Sequence, residues 1–244
     1  MIPNWIYERL KLLADPRLRF NAELHEYHLD QRQLTSWSQW IKQYKAGFDA
    51  QAQAPRTAAK RGLTVEQVLA EWERSNWVGS KTHEFIEAYY QATGSGAQPS
   101  PHPDMEVQLR CRKFLAAHAG RLQDFLPVAQ ELRVFHEPSG LCGTLDFLGW
   151  HVPTQQLYVL DWKTNKAINS DRDTIWRMMW GPFKDLADHE HNTYSLQISL
   201  YRMLLEEAGL PTGGGAIVHL PPGRSPAQVY KAIDYRSRLR DVIF

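Results

Sequence analysis

Gly143-Thr-Leu-Asp146-Phe-Leu-Gly149 and Leu157-Tyr-Val-Leu-Asp161-Trp-Lys163-Thr164 are two short apolar runs, each interrupted by charge, with the turn-forming Val152-Pro-Thr-Gln155 between them. Side chains alternate along a strand, so Asp161 and Lys163 share a face, and hairpin pairing brings Asp146 beside them. A third run, residues 129–137, ends at Glu137-Pro-Ser-Gly140. Strands over 129–137, 141–150 and 156–163 are therefore expected as an antiparallel meander at the heart of the fold. Charged groups are costly to bury unless they are paired or bind a metal, so two carboxylates and an ammonium on an apolar hairpin call for one or the other. A plain ion-pair cluster is the competing reading.

Outward from the meander, the N-terminal side is mostly helical. Residues 1–18 read as an amphipathic helix stopped at Asp15-Pro16, and Phe20 to Leu29 as part of a hairpin turning at Asp30-Gln31. From Ser36 to Gly94 the pattern is helical, with Thr64-Val-Glu-Gln67 as a capping box and one helix bracketed by Gly79 and Gly94. Residues 94–103 form a Gly/Pro/Ser loop, followed by a helix over about 104–118. On the C-terminal side, an excursion from Asn165 to Asn192 leads to a helix from Tyr194 to Ala208, ended by Gly209-Leu-Pro211. A strand over Ala216–Leu220 and a basic tail follow. The class is α/β (α+β), with an annex over 1–76 and a main unit over 77–244.

Composition narrows the chemistry. The chain has 244 residues, 43% of them hydrophobic, which suits a globular core, and 28 Lys+Arg against 27 Asp+Glu leave a net charge of +1 that selects no partner. No run reaches the roughly 18 apolar residues of a membrane span and the N-terminus lacks a secretory layout, so no membrane and a cytoplasmic location are expected. The two cysteines, Cys111 and Cys142, rule out a disulfide framework, a four-thiolate zinc site and a four-cysteine iron–sulfur cluster. No phosphate-binding Gly-Lys loop is present, so the chain carries no ATP motor. His83-Glu84-Phe-Ile-Glu87 lacks the second histidine of a zinc protease, and His189-Glu190-His191 reads as a polar surface turn. Cys111 reads as a structural thiol although Arg110, Arg112 and Lys113 flank it. The basic groups 56/60/61, 110/112/113 and 236/238/240 read mostly as solvated faces, the alternative being that one or two line a DNA channel.

Two carboxylates suit a hard divalent cation, and an ammonium beside them suits phosphodiester hydrolysis, where it orients the nucleophile and offsets phosphoryl charge. His83 and Glu87, four apart on one helical face, can add a nitrogen ligand, the alternative being a hydrogen-bonded helix histidine. Gln197 and Tyr201 share an edge of their helix and can reach a phosphate or a base, the alternative being ordinary half-burial.

The order Gly79-x-x-x-His83, Gly143-x-x-Asp146, Asp161-x-Lys163, Gln197-x-x-x-Tyr201 resembles the RecB-like branch of the PD-(D/E)XK nuclease superfamily over roughly residues 77–220. The start of the chain is also similar to mitochondrial genome maintenance exonucleases and related phage exonucleases. The resemblance implies a restriction-endonuclease-like core, a central mixed sheet flanked by helices. It implies Mg²⁺ or Mn²⁺ held by His83, Asp146 and Asp161, with Lys163 catalytic and Asp146 and Asp161 sharing that role. Gln197 and Tyr201 become supporting or DNA-contacting residues, with Glu87, Glu131 and Thr164 beside them, and Glu131 matches an acidic position in some relatives. The implied partner is DNA, single-stranded or with free ends, together with recombination or replication proteins. The implied activity is exonucleolytic, without ATP or sequence specificity. Rival readings are a catalytically silent nucleic-acid-binding or assembly module and a phosphoesterase for small nucleotides. In the 165–192 excursion, Trp176, Trp180, Arg172 and Arg177 suit either a strand clamp or a lid packed on the annex.

Overall fold

A computed structural model describes residues 1–13, 15–21, 24, 26–93, 99–170 and 177–243. In chain order the elements are α1 (Asn4–Leu13), β1 (Leu18–Asn21), β2 (Glu26–Leu29), β3 (Arg32–Ser36), α2 (Trp37–Trp40), α3 (Ala50–Arg61), α4 (Val65–Thr93), α5 (Met105–Gly120), β4 (Phe125–His136), β5 (Leu141–His151), β6 (Gln156–Lys163), α6 (Glu190–Glu207), β7 (Thr212–His219), β8 (Gln228–Lys231) and α7 (Arg236–Ile243). No described helix is long and apolar enough to cross a membrane.

The antiparallel meander forms at β4, β5 and β6, where the turn chemistry puts it. Gly140 and Gln155 take positive φ in the two connections (71° and 52°), and the strands pair antiparallel from Phe125↔His151 to His136↔Leu141 and from Phe147↔Leu160 to His151↔Gln156. α6 then crosses over to β7, which runs parallel to β6, and β8 pairs antiparallel with β7. The hairpin at Asp30-Gln31 also forms, joining β2 to β3, with Asp30 at φ 52°. β3 joins the larger sheet by lying parallel to β5 through Thr35↔Leu141 and Ser36↔Cys142. The result is a mixed sheet in the order β1-β2-β3-β5-β6-β7-β8, with β4 on the opposite edge of β5.

That topology leaves a fork. One edge of β5 is taken by β4, while the other is shared by β3 at Leu141–Cys142 and by β6 from Phe147 onward. Residues 143–146 lie between, with no strand partner on that edge among the described residues. A strand edge without a ladder is where side chains can replace backbone partners.

Two apolar layers hold the sheet. Leu148, Trp150, Leu157 and Val159 pack with Leu196, Leu200 and Leu204 of α6. Phe147, Leu160 and Trp162 pack on the other side with Ile86 and Tyr90 of α4 and Phe114 of α5. Alternation along β6 therefore sends odd residues toward α6 and even residues toward α4 and α5.

Several expectations change. The helix bracketed by Gly79 and Gly94 is part of one unbroken 29-residue helix, α4, that starts at the Thr64 capping box and runs through position 76/77, where the annex was set apart. Ile6, Trp37 and Ile41 of the annex belong to the same apolar cluster as the α6 layer. His189-Glu190-His191 is a helix start rather than a surface turn, since His189 caps α6 by accepting from Asn192 N. Arg110 and Lys113 are buried instead of solvated, because they bond the carbonyls of Leu220, Pro221 and Gly223, where the chain leaves β7. The basic tail is itself ordered as β8 and α7.

Tyr201 fixes how closely α6 approaches the fork. A Cβ on Gly143 would lie 2.6 Å from Tyr201 Cε1 and 2.8 Å from its hydroxyl, and Tyr201 is buried and bonded to Gln197. Gly143→Ala is therefore expected to cost about 1–3 kcal/mol by overpacking, read as a lower urea midpoint at unchanged slope; a midpoint equal to that of the unsubstituted protein would refute this packing.

Candidate metal centre

The fork brings three chain segments together. Glu131 of β4 lies between the pairs Gln130↔Phe147 and Leu132↔Leu145, hence across from Asp146 of β5. Asp161 of β6 lies one residue past Phe147↔Leu160, hence across from Asp146 on its other side. Three carboxylates thus form a row over three adjacent strands.

His83 enters from α4, one helical turn after Gly79. A Cβ on Gly79 would sit 2.9 Å from Thr164 Oγ1, so the missing side chain lets α4 lie against the end of β6. His83 Nε2 is then 3.1 Å from the carbonyl oxygen of Trp162. That oxygen can only accept, so Nε2 carries a proton, which leaves Nδ1 as the nitrogen able to offer a lone pair to a cation. Nδ1 faces Asp146 Oδ2 at 3.8 Å. The same Oδ2 accepts from the backbone N–H of Trp162 at 2.7 Å. Beyond the last β5–β6 pair, the two peptide groups of Trp162 therefore hold His83 and Asp146 in place, as outer hydrogen bonds hold metal ligands. The Trp162 ring anchors this clamp, being 2% exposed among Tyr90, Phe114 and Phe147.

Ligand-type atoms of His83, Glu131 and Asp146 all lie within 4.8 Å of one another. One imidazole nitrogen and two carboxylates fit a divalent cation with hard-ligand preference. Two details of the chain agree with that fit. Glu131 takes φ 46°, a left-handed conformation costly for a residue with a side chain. Burial, reinforced by Asp146, Glu87 and Asp161, pushes its carboxyl up to about 8, the response of a buried acid crowded by other acids.

Asp161, expected as a third ligand, lies outside that 4.8 Å group. It is buried, and Lys163 Nζ lies 2.6 Å from its Oδ2. Burial raises the Asp161 carboxyl, while the Lys163 ammonium opposes the rise. Asp161 and Asp146 in turn hold the Lys163 proton against desolvation, so its pKa is raised. Glu131 is the third member of the group that could hold a cation.

The remaining candidates surround this centre. Glu87 lies one turn beyond His83 and accepts from Gln91 Nε2 at 2.9 Å. Thr164 meets Gly79. Gln197 Nε2 donates to the Tyr201 hydroxyl at 3.1 Å; burial raises the Tyr201 phenol well above its ordinary value, so it stays protonated. Tyr201 is thus a wall of the fork, and of the two only Gln197 reaches the open groove. Tyr194 was not singled out in the sequence, yet Lys163 Nζ sits 4.6 Å from its ring centroid. Its spacing to Gln197 and Tyr201, three and seven residues, marks the same helical face and is the signal that could have found it.

A groove of about 610 Å³ opens beside Lys163, walled by Lys45, Phe48, Arg177, Tyr194 and Gln197. Lys45 and Arg177 share one acid, Asp188, at 2.9 and 3.1 Å. The described part of the excursion packs on the annex: Trp180 N–H donates to Tyr44 O, and Phe183 stands edge-on to Trp40 and Tyr44. Arg172 and Trp176 lie outside the described residues. Cys111 and Cys142 are buried, which pushes both thiols up to about 12, so the arginines near Cys111 do not activate it. Neither a family model nor any curated protein matches the chain.

Proposed function

We propose that this chain is a divalent-metal-dependent deoxyribonuclease with a restriction-endonuclease-like core of the RecB-like type, acting from DNA ends without ATP or sequence specificity. The observation that carries the reading is the convergence of His83, Glu131 and Asp146 within 4.8 Å, next to the Asp161–Lys163 pair. The succession of α4 and α5, three antiparallel strands, α6 and a parallel strand agrees with such a core.

His83 Nδ1 and the Glu131 and Asp146 carboxylates would hold Mg²⁺ or Mn²⁺. When bound, the cation supplies Lewis-acid polarisation of a phosphoryl oxygen and a more acidic water. Lys163 keeps its proton at Nζ because Asp161 and Asp146 surround it, and the ammonium offers a charged donor to the oxygens on which negative charge grows. The Tyr194 ring limits where that ammonium can move. The Trp162 peptide fixes His83 and Asp146 before substrate arrives, which is the preorganisation that electrostatic catalysis needs. In the groove, Lys42, Lys45 and Arg177 provide phosphate contacts, and Phe48, 70% exposed, an open stacking face.

The test is incubation of the purified chain with end-labelled single- and double-stranded DNA in Mg²⁺, Mn²⁺ or EDTA. Hydrolysis in either metal and none in EDTA is expected. Degradation in EDTA would refute the metal centre, and salt-dependent DNA binding with no cleavage in any divalent metal would establish the silent binding module instead.

A further inference from the structure

A second cavity lies at the other end of the sheet, where β6 and β7 begin. Gln156 at its rim and Lys163 at the candidate centre are seven residues apart on β6, which puts the two regions about 20 Å apart. The cavity is about 580 Å³, and β7 backbone at Gly213–Gly215 lines it. β8 pairs with β7 only from Ala216 onward, so this stretch has no strand on its outer side among the described residues.

The charges around the cavity do not cancel. Arg202, Lys231 and Arg236 line it together with a single acid, Asp234. Arg202 is 4% exposed and is tied to Thr212 through Nε and Nη2, while its Nη1 reaches Asp234 at 3.1 Å. Arg236 shares the same Asp234 and is backed by Glu206, which Arg240 also pairs. With Arg240 and Glu206 included, four cations face two carboxylates. Lys231 is exposed and makes no ion pair among the described residues. Burial, together with repulsion from Arg202 and Arg240, lowers the Arg236 pKa, the sign of cationic charge without enough counterion. A concave site that holds one buried guanidinium in fixed geometry, a second beside it and a free ammonium at the lip matches the planar, forked recognition of tetrahedral oxyanions.

We propose that this cavity is a binding site for a phosphate dianion, either inorganic phosphate or the terminal phosphate of a mononucleotide. A dianion brings the local balance of four positive against two negative charges to zero. Thr212 holds Arg202 in place, so it is the fixed cation of the site, and the exposed Lys231 adds an ammonium to the lining. The site is independent of the metal centre: none of its residues lies in the fork, and it requires no divalent cation.

The experiment is thermal unfolding and calorimetric titration of the full chain in EDTA, with inorganic phosphate, deoxyadenosine 5′-monophosphate, deoxyadenosine, and sodium chloride at matched ionic strength. Phosphate and the nucleotide are expected to raise Tm beyond chloride while deoxyadenosine leaves it unchanged, with the size of the shift following ligand excess over Kd. Equal affinity for the two anions identifies phosphate alone as sufficient, and tighter nucleotide binding identifies a mononucleotide site. Lys231→Glu, an exposed change that leaves the Arg202–Thr212 tie intact, is expected to weaken both anions at least 10-fold. No response beyond chloride, or an unchanged response in Lys231→Glu, would overturn the proposal. Because the readout is binding without metal, it is independent of whether the chain cleaves DNA.

Discussion

Lys163→Ala is expected to lower metal-dependent DNA hydrolysis by a factor on the order of 10²–10³, the typical loss when one preorganised charged donor is removed from a developing oxyanion. A structural consequence accompanies it. Asp161 is 1% exposed and has Lys163 as its ion-pair partner, so truncation leaves a buried carboxylate uncompensated, a change that commonly costs about 3–5 kcal/mol. Protonation relieves part of that cost, because burial already holds this carboxyl above its usual range. The sign follows: a carboxyl raised in the folded state favours folding while it is neutral, and that contribution is lost as pH rises through its folded value. The variant is therefore expected to approach the parent in Tm at pH 5 and to fall below it at pH 8. Asp161→Asn combined with Lys163→Ala removes the orphaned charge and is expected to recover the Tm at pH 8 without recovering hydrolysis. Recovery of both would show that Lys163 serves the fold alone, and full activity in Lys163→Ala would remove it from the chemistry.

The same pair shows where sequence reading runs out. Period-two alternation places Asp161 and Lys163 on one face, and the structure keeps them there. That proximity also lets them pair with each other, the competing reading that spacing alone could not separate from metal binding. The three meander strands were legible because their turns are local: Ser139-Gly140 and Thr154-Gln155 end the strands wherever the rest of the chain goes. Glu131 was legible only as a match to an acidic position in some relatives, since its place beside His83 and Asp146 depends on its left-handed backbone inside β4 and on the β4–β5 register. Arg110 and Lys113 illustrate the same limit, because the carbonyls they bond lie more than 100 residues away in the chain. Gly79 and Gly143 are different. Each appears in the sequence only as a spacing to His83 or Asp146, and each is a point where Thr164 or Tyr201 fills the space of a side chain. The spacing was readable, whereas its cause was a contact between distant segments.

Glu131→Gly is expected to raise the stability of the metal-free protein while removing its response to metal. Glycine accepts φ near 46° freely, and a side chain in that region costs about 1–2 kcal/mol; against this stands the roughly 0.5–1 kcal/mol that glycine loses in a strand interior. The change also removes one member of the carboxylate row. With its carboxyl pushed up to about 8, Glu131 favours the fold when neutral, fully below about pH 4.5, and this contribution fades as pH rises through 8. The metal-free parent is thus expected to lose stability between pH 5 and 8.5, and Glu131→Gly to lose less, so the advantage of the variant is largest at the alkaline end. Divalent metal reverses the order. Cation binding requires the ionised carboxylates that repel one another in its absence, so Mn²⁺ is expected to raise the Tm of the parent strongly at pH 8.5 and weakly at pH 5.5. In Glu131→Gly the Mn²⁺ shift and metal-dependent hydrolysis are both expected to be lost, in a protein no less stable than the parent, which separates loss of a ligand from loss of the fold. If Glu131→Gly keeps the full Mn²⁺ shift at pH 8.5, the cation is held elsewhere, and the convergence of His83, Glu131 and Asp146 is a packing arrangement with no part in metal binding.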